Sequence, residues 1–168
     1  MYQYSFANVD LTLQIPDSEG RYTPLTVRGF ATGENLINIQ RRAPIATTQF
    51  GAYGDMVVSM QRITAGDLSF PVLMNAPENK ALQDYCNYFQ DQADAEGALV
   101  HPIQATLTDN MGKDRARLDN GVVLAIPAIT RGQTMNTVTW VLTFEHVKIE
   151  RNTGDDNTDF GVQPDFGA

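Results

Sequence analysis

The sequence predicts a mainly β protein, built as a β-sandwich or barrel with one α-helix packed on it. Three observations support this fold class. Most segments of the 168-residue chain alternate polar and apolar residues, one segment has the spacing of an amphipathic helix, and no strand–helix–strand rhythm is present. The length fits one domain, which we assign to residues 1–150. Residues 151–168 lose all periodicity and are rich in Gly, Asp and Asn, so we expect an acidic C-terminal arm that is flexible or partner-dependent.

The first half of the chain predicts strands separated by turn-rich breaks. Residues 4–15 alternate most regularly, with apolar side chains on one face. Further strands are expected at residues 25–30, 34–42, 56–63 and 68–74. We interpret residues 43–55 as a long loop and residues 64–67 as a hairpin turn that joins the strands on either side of it. Pro71 indicates that the last of these strands lies at a sheet edge or is bulged.

The single predicted helix occupies residues 75–97. Asn75 is suited to the N-cap, Pro77 to the first turn, and Glu78 stands three residues after Asn75, as in a capping box. An apolar stripe recurs at helical spacing and consists of Leu82, Tyr85, Cys86, Phe89 and Ala93. We expect this stripe to pack on the sheet, with Cys86 as a small buried apolar residue rather than a nucleophile.

The second half of the chain predicts strands again, at residues 100–107, 122–126 and 136–149. An Asn-Gly pair within residues 119–122 signals a turn. The last strand alternates most clearly, and its apolar face consists of Val138, Trp140, Leu142 and Phe144. We expect Trp140 to anchor the core together with Leu142 and Phe144, packed on the helix stripe.

The charge of the chain argues against a DNA-binding protein that reads sequence. The chain has 20 acidic and 12 basic residues and a net charge of -8, whereas phosphate contacts need clustered Lys and Arg. Its single cysteine, Cys86, excludes a disulfide within the chain and suits a reducing cytoplasm. The first residues show no signal-peptide pattern, and no apolar run approaches the roughly 20 residues of a membrane span. We therefore expect no membrane partner.

The sequence predicts no enzyme, no cofactor and no metal site. Residues 51–54, Gly-Ala-Tyr-Gly, match neither phosphate-binding glycine motif, and no helix follows them. His101 and His146 lack the Cys partners and the spacing of a zinc site. Residues 155–166 place Asp155, Asn157 and Asp159 at alternate positions but lack the glycine and the glutamate of a calcium loop. Glu145 and His146 are neighbours in a strand, so we expect their side chains on opposite faces and no catalytic pair.

The many predicted strands favour assembly over chemistry. Exposed strand edges promote uncontrolled association, and a ring of subunits removes them by pairing edges between neighbours. In such a ring, the glycine-containing loop at residues 43–55 becomes a contact between subunits.

The order and spacing of these elements resemble the tail tube proteins of contractile-tailed bacteriophages, especially Mu-like phages. Residues 33–85 contain, in order, a strand, a long loop with a small-residue turn, a polar-alternating strand, a short turn, a return strand and a helix capped by Asn and Pro. The segments "YSFANVDLTL" and "NTVTWVLTFEHVKI" are similar to that family's first and last strands. The resemblance covers about residues 2–150. The C-terminal arm is longer than the family pattern.

The resemblance implies a structural subunit of a tail tube with an Hcp-like architecture. Hexameric rings would stack into a hollow tube, and sheets of neighbouring subunits would join into a continuous β-barrel around the lumen. The implied partners are other copies of the chain, a surrounding tail sheath, the tape measure protein, and baseplate and tail terminator proteins. The genome would pass through the lumen into the host without sequence-specific binding. The subunit would belong to the virion tail and assemble in the host cytoplasm.

Two sets of residues are candidates for roles in such an assembly. In the loop, Phe50 and Tyr53 would anchor in a neighbour's pocket, while Gly51 and Gly54 would let the backbone turn and approach closely. The alternative is a surface loop whose aromatic side chains cover the subunit's own core. Polar strand faces that oppose apolar faces would line the lumen. These lumen candidates are Ser59, Gln61, Thr139, Thr143 and Glu145.

Two other functions fit the same sequence. The tube of a type VI-like secretion system shares the architecture and conducts effectors instead of a genome. A monomeric β-sandwich that binds a sugar or a peptide is the alternative from another class of protein. It predicts a stable monomer rather than rings or tubes.

Overall fold

The computed structural model describes residues 5–34, 36–93, 100–111 and 113–151. One turn of 3-10 helix, Phe6–Asn8, precedes nine strands and one α-helix in this part of the chain. The strands are β1 (Val9–Pro16), β2 (Tyr22–Thr26), β3 (Asn38–Arg41), β4 (Ala46–Phe50), β5 (Met56–Met60), β6 (Gly66–Leu73), β7 (Ile103–Asp109), β8 (Arg115–Val123) and β9 (Thr137–Glu150), and the helix is α1 (Pro77–Ala93). A mainly β fold with one helix is therefore confirmed. The predicted C-terminal arm lies outside the described residues, apart from its first residue.

Seven strands form one antiparallel sheet in the order β2-β1-β7-β8-β9-β6-β3. β2 and β3 are its two edges, so the sheet is open and the described strands of one subunit do not close into a barrel. β4 and β5 pair with each other in a second sheet. The predicted first strand starts later than expected, at Val9, because the 3-10 turn capped by Ser5 occupies the residues before it.

The core lies between one face of the large sheet and the helix. Trp140, Leu142 and Phe144 of β9 are at most 2% exposed, and β1, β6, β7 and β8 add side chains to the same cluster. Trp140 also donates a hydrogen bond from Nε1 to Asn79 Oδ1 of α1 at 2.8 Å. The predicted core face of the last strand, anchored by Trp140 and packed with the helix stripe, is therefore confirmed.

The apolar stripe of α1 is confirmed over most of its length. Leu82, Tyr85 and Cys86 are buried, and Phe89 packs partly buried against the core. Burial raises the pKa of the Cys86 thiol, which keeps it protonated and suits a packing role. Ala93, the last residue of the helix, is exposed, so the prediction that the stripe extends to it is wrong.

Glu78 plays a different part from the predicted capping box. Its Oε1 accepts hydrogen bonds from the backbone N–H groups of Arg28 at 2.8 Å and Gly29 at 3.3 Å. The side chain is buried, with 2% exposure, where the chain leaves β2 and passes the start of α1. A carboxylate that accepts two backbone donors makes charge-assisted bonds. Glu78 therefore fixes this connection to the helix instead of turning back to Asn75.

Asn120 and Gly121 form a β-bulge inside β8 and not the predicted turn. Ile103 of β7 pairs with Gly121 and Ala105 with Leu118, so β8 contains one extra residue at this point. Asn120 has φ 57, the left-handed conformation that a turn would also use. The extra residue shifts the alternation, and both Leu118 and Gly121 face the core. A Cβ added at Gly121 would lie 2.3 Å from the ring of Phe144, so only glycine fits there.

β6 is an interior strand, between β9 and β3, and pairs with both in continuous register, contrary to the edge position or bulge that Pro71 predicts. β3 pairs only with residues 66–69 of β6, so its ladder ends before the proline. Beyond it, Phe30 forms an isolated bridge with Val72, and the Pro71 carbonyl accepts a hydrogen bond from Ala31 N at 3.2 Å. The missing N–H of proline is tolerated because regular pairing on this side has already stopped.

Candidate assembly surfaces

A β-hairpin stands apart from the core; its first strand and its turn lie in the region predicted as a loop, and its second strand lies in the strand predicted at residues 56–63. We call residues 45–61 the hairpin. β4 and β5 pair from Ala46 with Met60 to Phe50 with Met56. At the base, Gln61 N donates to Ile45 O at 2.8 Å. The predictions of a loop over residues 43–55 and of a hairpin turn at residues 64–67 are therefore wrong, because β5 pairs with β4 and β6 pairs with β3 and β9.

The turn of the hairpin spans Gly51 to Asp55. Gly51 N donates to Asp55 O at 2.8 Å, and Gly54 N donates to Gly51 O at 3.0 Å. Gly54 has φ 87 and needs the conformational freedom of glycine. A Cβ at Gly51 would make ordinary contacts, the nearest at 3.7 Å. Of the two predicted glycines, Gly54 is thus the one that the backbone requires, and Tyr53 lies beside it at the tip.

The hairpin exposes an unusual amount of apolar surface. Phe50 is 70% exposed and Tyr53 98% exposed, which excludes the alternative that these rings cover the subunit's own core. The other exposed large apolar side chains of this region are Ile45, Met56, Val57, Val58, Met60 and Ile63. Contiguous apolar surface of this kind marks an interaction site. Met56, Val58 and Met60 alternate along β5 but do not face the core, since every residue of β5 is exposed.

The second candidate surface is the polar face of the large sheet, opposite the core. Thr139 is exposed and Thr143 is half-buried on this face of β9. Thr143 Oγ1 donates to Asp67 Oδ1 at 2.8 Å, and Arg42 Nε bonds both carboxylate oxygens of Asp67 at 3.0 and 3.1 Å. Arg42 also donates to Thr143 Oγ1 at 3.1 Å. The network ties three segments of the chain together and neutralises Asp67.

Glu145 belongs to a neighbouring polar network at the bulge. Its Oε2 accepts a hydrogen bond from Asn120 Nδ2 at 3.1 Å, and Asn120 Oδ1 accepts one from Gln104 Nε2 at 3.3 Å. His146, predicted on the opposite face from Glu145, is also exposed, and its Nε2 lies 3.8 Å from Glu145 Oε1. At the bulge, the alternation of buried and exposed residues in β8 shifts by one residue. Because β9 stays in register with β8, its alternation shifts too, and Glu145 and His146 are both exposed.

The structure does not bring Ser59 and Gln61 to this polar face. Ser59 lies in the hairpin opposite Thr47, and Gln61 lies at the hairpin base. The assignment of these two residues to the lumen assumes that the opposite, apolar face of β5 packs in the core. No face of β5 does so. The polar candidates therefore divide into two groups, one on the large sheet and one on the hairpin.

A second exposed apolar segment was missed by the sequence analysis. The segment over residues 124–135 follows β8, and its exposed large apolar side chains are Leu124, Ile126, Ile129 and Met135. The sequence predicts a strand at residues 122–126, but β8 ends at Val123. Between this segment and α1 lies a groove of about 350 Å³, lined by Tyr85, Cys86, Phe89, Gln90, Val123, Leu124, Ala125 and Ile126.

No group of three or more potential metal-ligating side chains occurs in the part of the chain that the structure covers. Within the same ranges, no helix is long and apolar enough to cross a membrane.

Comparison with known proteins gives one family match. The family model of the bacteriophage PhiTE tail tube protein matches residues 1–154 of the chain. Among curated protein sequences, none matches at a significant level.

Solved structures share the fold over nearly the whole chain. The tube-terminating cap of the anti-feeding prophage is 12% identical, with a TM-score of 0.50, covering 90% of this chain and 93% of that one. The sheath/tube terminator of the PVC extracellular contractile injection system is 11% identical, with a TM-score of 0.51 and coverage of 89% and 98%. A chain of the PVC sheath–tube complex is 10% identical, with a TM-score of 0.51 and coverage of 89% and 93%. At these identities the likeness is one of fold.

Proposed function

The chain belongs to the family of the bacteriophage PhiTE tail tube protein, and from this premise we propose that it is a structural, non-catalytic subunit whose hexameric rings stack into the tube of a contractile, Mu-like tail. The genome passes through the lumen into the host. The partners we propose are other copies of the chain, the sheath, the tape measure protein, and baseplate and terminator proteins. The subunit assembles in the host cytoplasm and remains in the tail of the virion.

The observation that carries this proposal is the exposed hairpin in a chain of the tube family. A monomer gains nothing from a β-hairpin whose apolar side chains face water, and such surface favours association. Phe50 and Tyr53 are the anchors, because aromatic side chains dominate the energetics of interfaces. Gly54 shapes the tip on which they are presented. The open edges β2 and β3 supply the second kind of contact, in which sheets of neighbouring subunits join into a barrel around the lumen.

The polar face of the large sheet is suited to line that lumen. Its charged groups are largely paired with each other, as in the contacts of Arg42 with Asp67 and of Arg117 with Asp119. The face also carries Thr139, Thr143 and Glu145. Paired cations offer few free charges to DNA phosphates, and the net charge of -8 repels them. DNA therefore slides past without being held. Ser59 and Gln61 line the lumen only if the hairpin itself reaches the inner wall.

The solved relatives favour one further candidate function. Two of them are named as a terminating cap and a terminator of contractile injection systems, so a chain of this fold can end a tube as well as build it. A repeated subunit forms long tubes alone, whereas a terminator forms a single ring. A head on the native particle distinguishes genome delivery from an injection or type VI-like device that conducts effectors.

Sedimentation velocity and negative-stain electron microscopy across a range of concentrations test the proposal. The wild type should form rings and tubes. The double variant Phe50→Ser, Tyr53→Ser should keep a native circular dichroism spectrum but need a far higher concentration to assemble, because each buried aromatic anchor contributes about 2 kcal/mol or more, roughly thirtyfold in affinity. Met111→Ser, at an exposed apolar residue outside the hairpin, is the control and should assemble normally.

Two outcomes would contradict the proposal. A wild type that stays an 18.6 kDa monomer at every concentration would favour a monomeric β-sandwich that binds a sugar or a peptide. Tubes of the double variant at wild-type concentrations would show that the hairpin is not the contact that builds them.

A further inference from the structure

We propose that the 124–135 segment, with the groove it forms against α1, is the surface of a second copy of this chain that receives the hairpin. The inference rests on the proposed function and specifies its stacking contact. The contact is head-to-tail: the hairpin of each subunit binds the 124–135 segment of the next. A heterologous contact along the strand direction does not return to the first subunit, and it then produces an open stack rather than a closed ring.

The first argument is the distribution of exposed apolar side chains. Fifteen large ones are exposed among the described residues, of which eight lie in residues 45–63 and four in residues 124–135. The other three, Tyr22, Met111 and Ile149, lie outside both segments. An apolar surface that binds a neighbouring copy needs an apolar surface to receive it. Within the described ranges, the 124–135 segment is the only other place where large apolar side chains are exposed together.

The second argument is that the 124–135 segment runs from the middle of β6, where Leu124 N bonds Val141 O beside Ser69, to the end of β6 opposite the hairpin. The hairpin leaves the sheet just before β6, where Arg42 N bonds Ala65 O. β6 ends at Leu73, and the next residue, Met74, bonds Asn136 O directly after the 124–135 segment. Eight residues separate these ends, roughly 25 Å at about 3.3 Å per residue. Subunits stacked along the strand direction therefore bring one end of a copy to the opposite end of the next.

The third argument is charge. Asp55 is the only charged residue between residues 43 and 61, and Arg131 is the only one between residues 122 and 136. Both are exposed. A single negative charge at the tip of the hairpin thus faces a single positive charge in the receiving segment. Complementary charge fixes the register of a contact whose affinity comes from apolar burial.

The fourth argument is the shape of the receiving surface. The groove between α1 and residues 123–126 measures about 350 Å³ and is lined mainly by apolar and aromatic side chains, among them Phe89 and Leu124. It has room for an aromatic ring. Tyr53, at the tip and 98% exposed, is the side chain best placed to enter it, with Phe50 packing beside it.

Complementation between two assembly-defective variants tests the pairing. The hairpin variant carries Phe50→Ser and Tyr53→Ser and keeps an intact receiving segment. The segment variant carries Leu124→Ser and Ile129→Ser and keeps an intact hairpin. Each alone should need at least about thirtyfold more protein to stack than the wild type. When the two variants are mixed in equal amounts, one contact stays intact, between the hairpin of the segment variant and the receiving segment of the hairpin variant. Sedimentation should therefore reveal a new complex that does not grow further. It contains two subunits, or two rings where sheet edges first join subunits into rings.

A photo-cross-link makes the test independent of whether the segment variant folds. Tyr53 is replaced by benzoylphenylalanine, assembled tubes are irradiated, and cross-linked peptides are identified by mass spectrometry. Cross-links between subunits should fall in residues 124–135 or in the facing part of α1. Cross-links confined to other regions, a folded segment variant that stacks normally, or folded variants that form no mixed complex would overturn the pairing. A wild type that never forms tubes would instead overturn the proposed function, and the pairing with it.

Discussion

Replacing Trp140 with alanine should remove the largest single packing contribution to the subunit. The side chain is 2% exposed and belongs to the cluster that joins β9 to α1. Burying an aromatic side chain removes about 150–250 Å² from water, which corresponds to about 4–6 kcal/mol at about 25 cal/mol per Å². Alanine retains a small part of this, so the expected loss in free energy of unfolding is about 3–5 kcal/mol. Small domains have about 5–15 kcal/mol in total.

A second substitution at Trp140 separates the loss of packing from the loss of its hydrogen bond. Trp140→Phe keeps an aromatic ring but removes the donor that bonds Asn79 Oδ1 at 2.8 Å. This variant should lose about 1–3 kcal/mol, because the partly buried Asn79 acceptor is left unpaired and the smaller ring fills less of the site. Thr139→Ala, at the exposed neighbouring residue, should change the free energy of unfolding by less than about 0.5 kcal/mol.

Urea unfolding followed by far-ultraviolet circular dichroism is the assay. Trp140 is the only tryptophan, so its fluorescence cannot report on its own replacement. The protein is kept at concentrations below assembly, which would otherwise add stability by mass action. An unfolding midpoint of Trp140→Ala equal to that of the wild type would refute the packing argument. Equal losses for Trp140→Ala and Trp140→Phe would show that the hydrogen bond, and not the buried ring, carries the effect.

Three further predictions concern backbone and charge. Gly54→Ala, at φ 87, should cost the hairpin turn about 1–2 kcal/mol and speed amide exchange at Gly51 N, whereas Gly51→Ala should leave that exchange nearly unchanged. Gly121→Ala should lower the melting temperature through about 1–3 kcal/mol of overpacking against the buried Phe144 ring; an unchanged melting temperature would contradict that contact. Backbone hydrogen bonds from Arg21, and then from Glu19, lower the pKa of Asp17. The contribution of Asp17 to stability is therefore present above its unfolded-state pKa and lost as pH falls through its folded-state pKa. Asp17→Asn should flatten the acid limb of a curve of stability against pH, and a limb identical to that of the wild type would contradict this.

The last strand could be predicted because one of its faces is buried. Trp140, Leu142 and Phe144 alternate with polar residues since the core selects every second side chain. The stripe of α1 is recognisable for the same reason, at helical spacing. Elements whose sequence is shaped by the subunit's own core are the ones that a single sequence reveals.

The hairpin could not be predicted because neither of its faces contacts that core. Residues 47–60 are all exposed, so β4 shows no apolar alternation and β5 is apolar on both faces. If a second copy covers this surface, contact with that copy, and not with the chain's own core, selects the residues of the hairpin. The sequence therefore predicts a loop where β4 lies, and it predicts β5, within the strand at residues 56–63, without its pairing to β4.

Two other features depend on pairings that are distant in sequence. Thr143 was placed correctly on the exposed side of β9, but its partners Arg42 and Asp67 come together only through the order of β3, β6 and β9. The Asn120–Gly121 pair signals a left-handed residue, and both a turn and a bulge use that conformation. The register of β7 on β8 decides between them.

A cryo-electron microscopy reconstruction of the purified wild-type protein at high concentration tests the central claim most directly. The account predicts a hollow tube of stacked hexameric rings, with Thr139, Thr143 and Glu145 on the wall of the lumen and Phe50 and Tyr53 buried between subunits. Tubes with the polar face of the large sheet turned outward would contradict the assignment of the lumen. A homogeneous 18.6 kDa monomer with the hairpin free in solvent would contradict the role as a tube subunit.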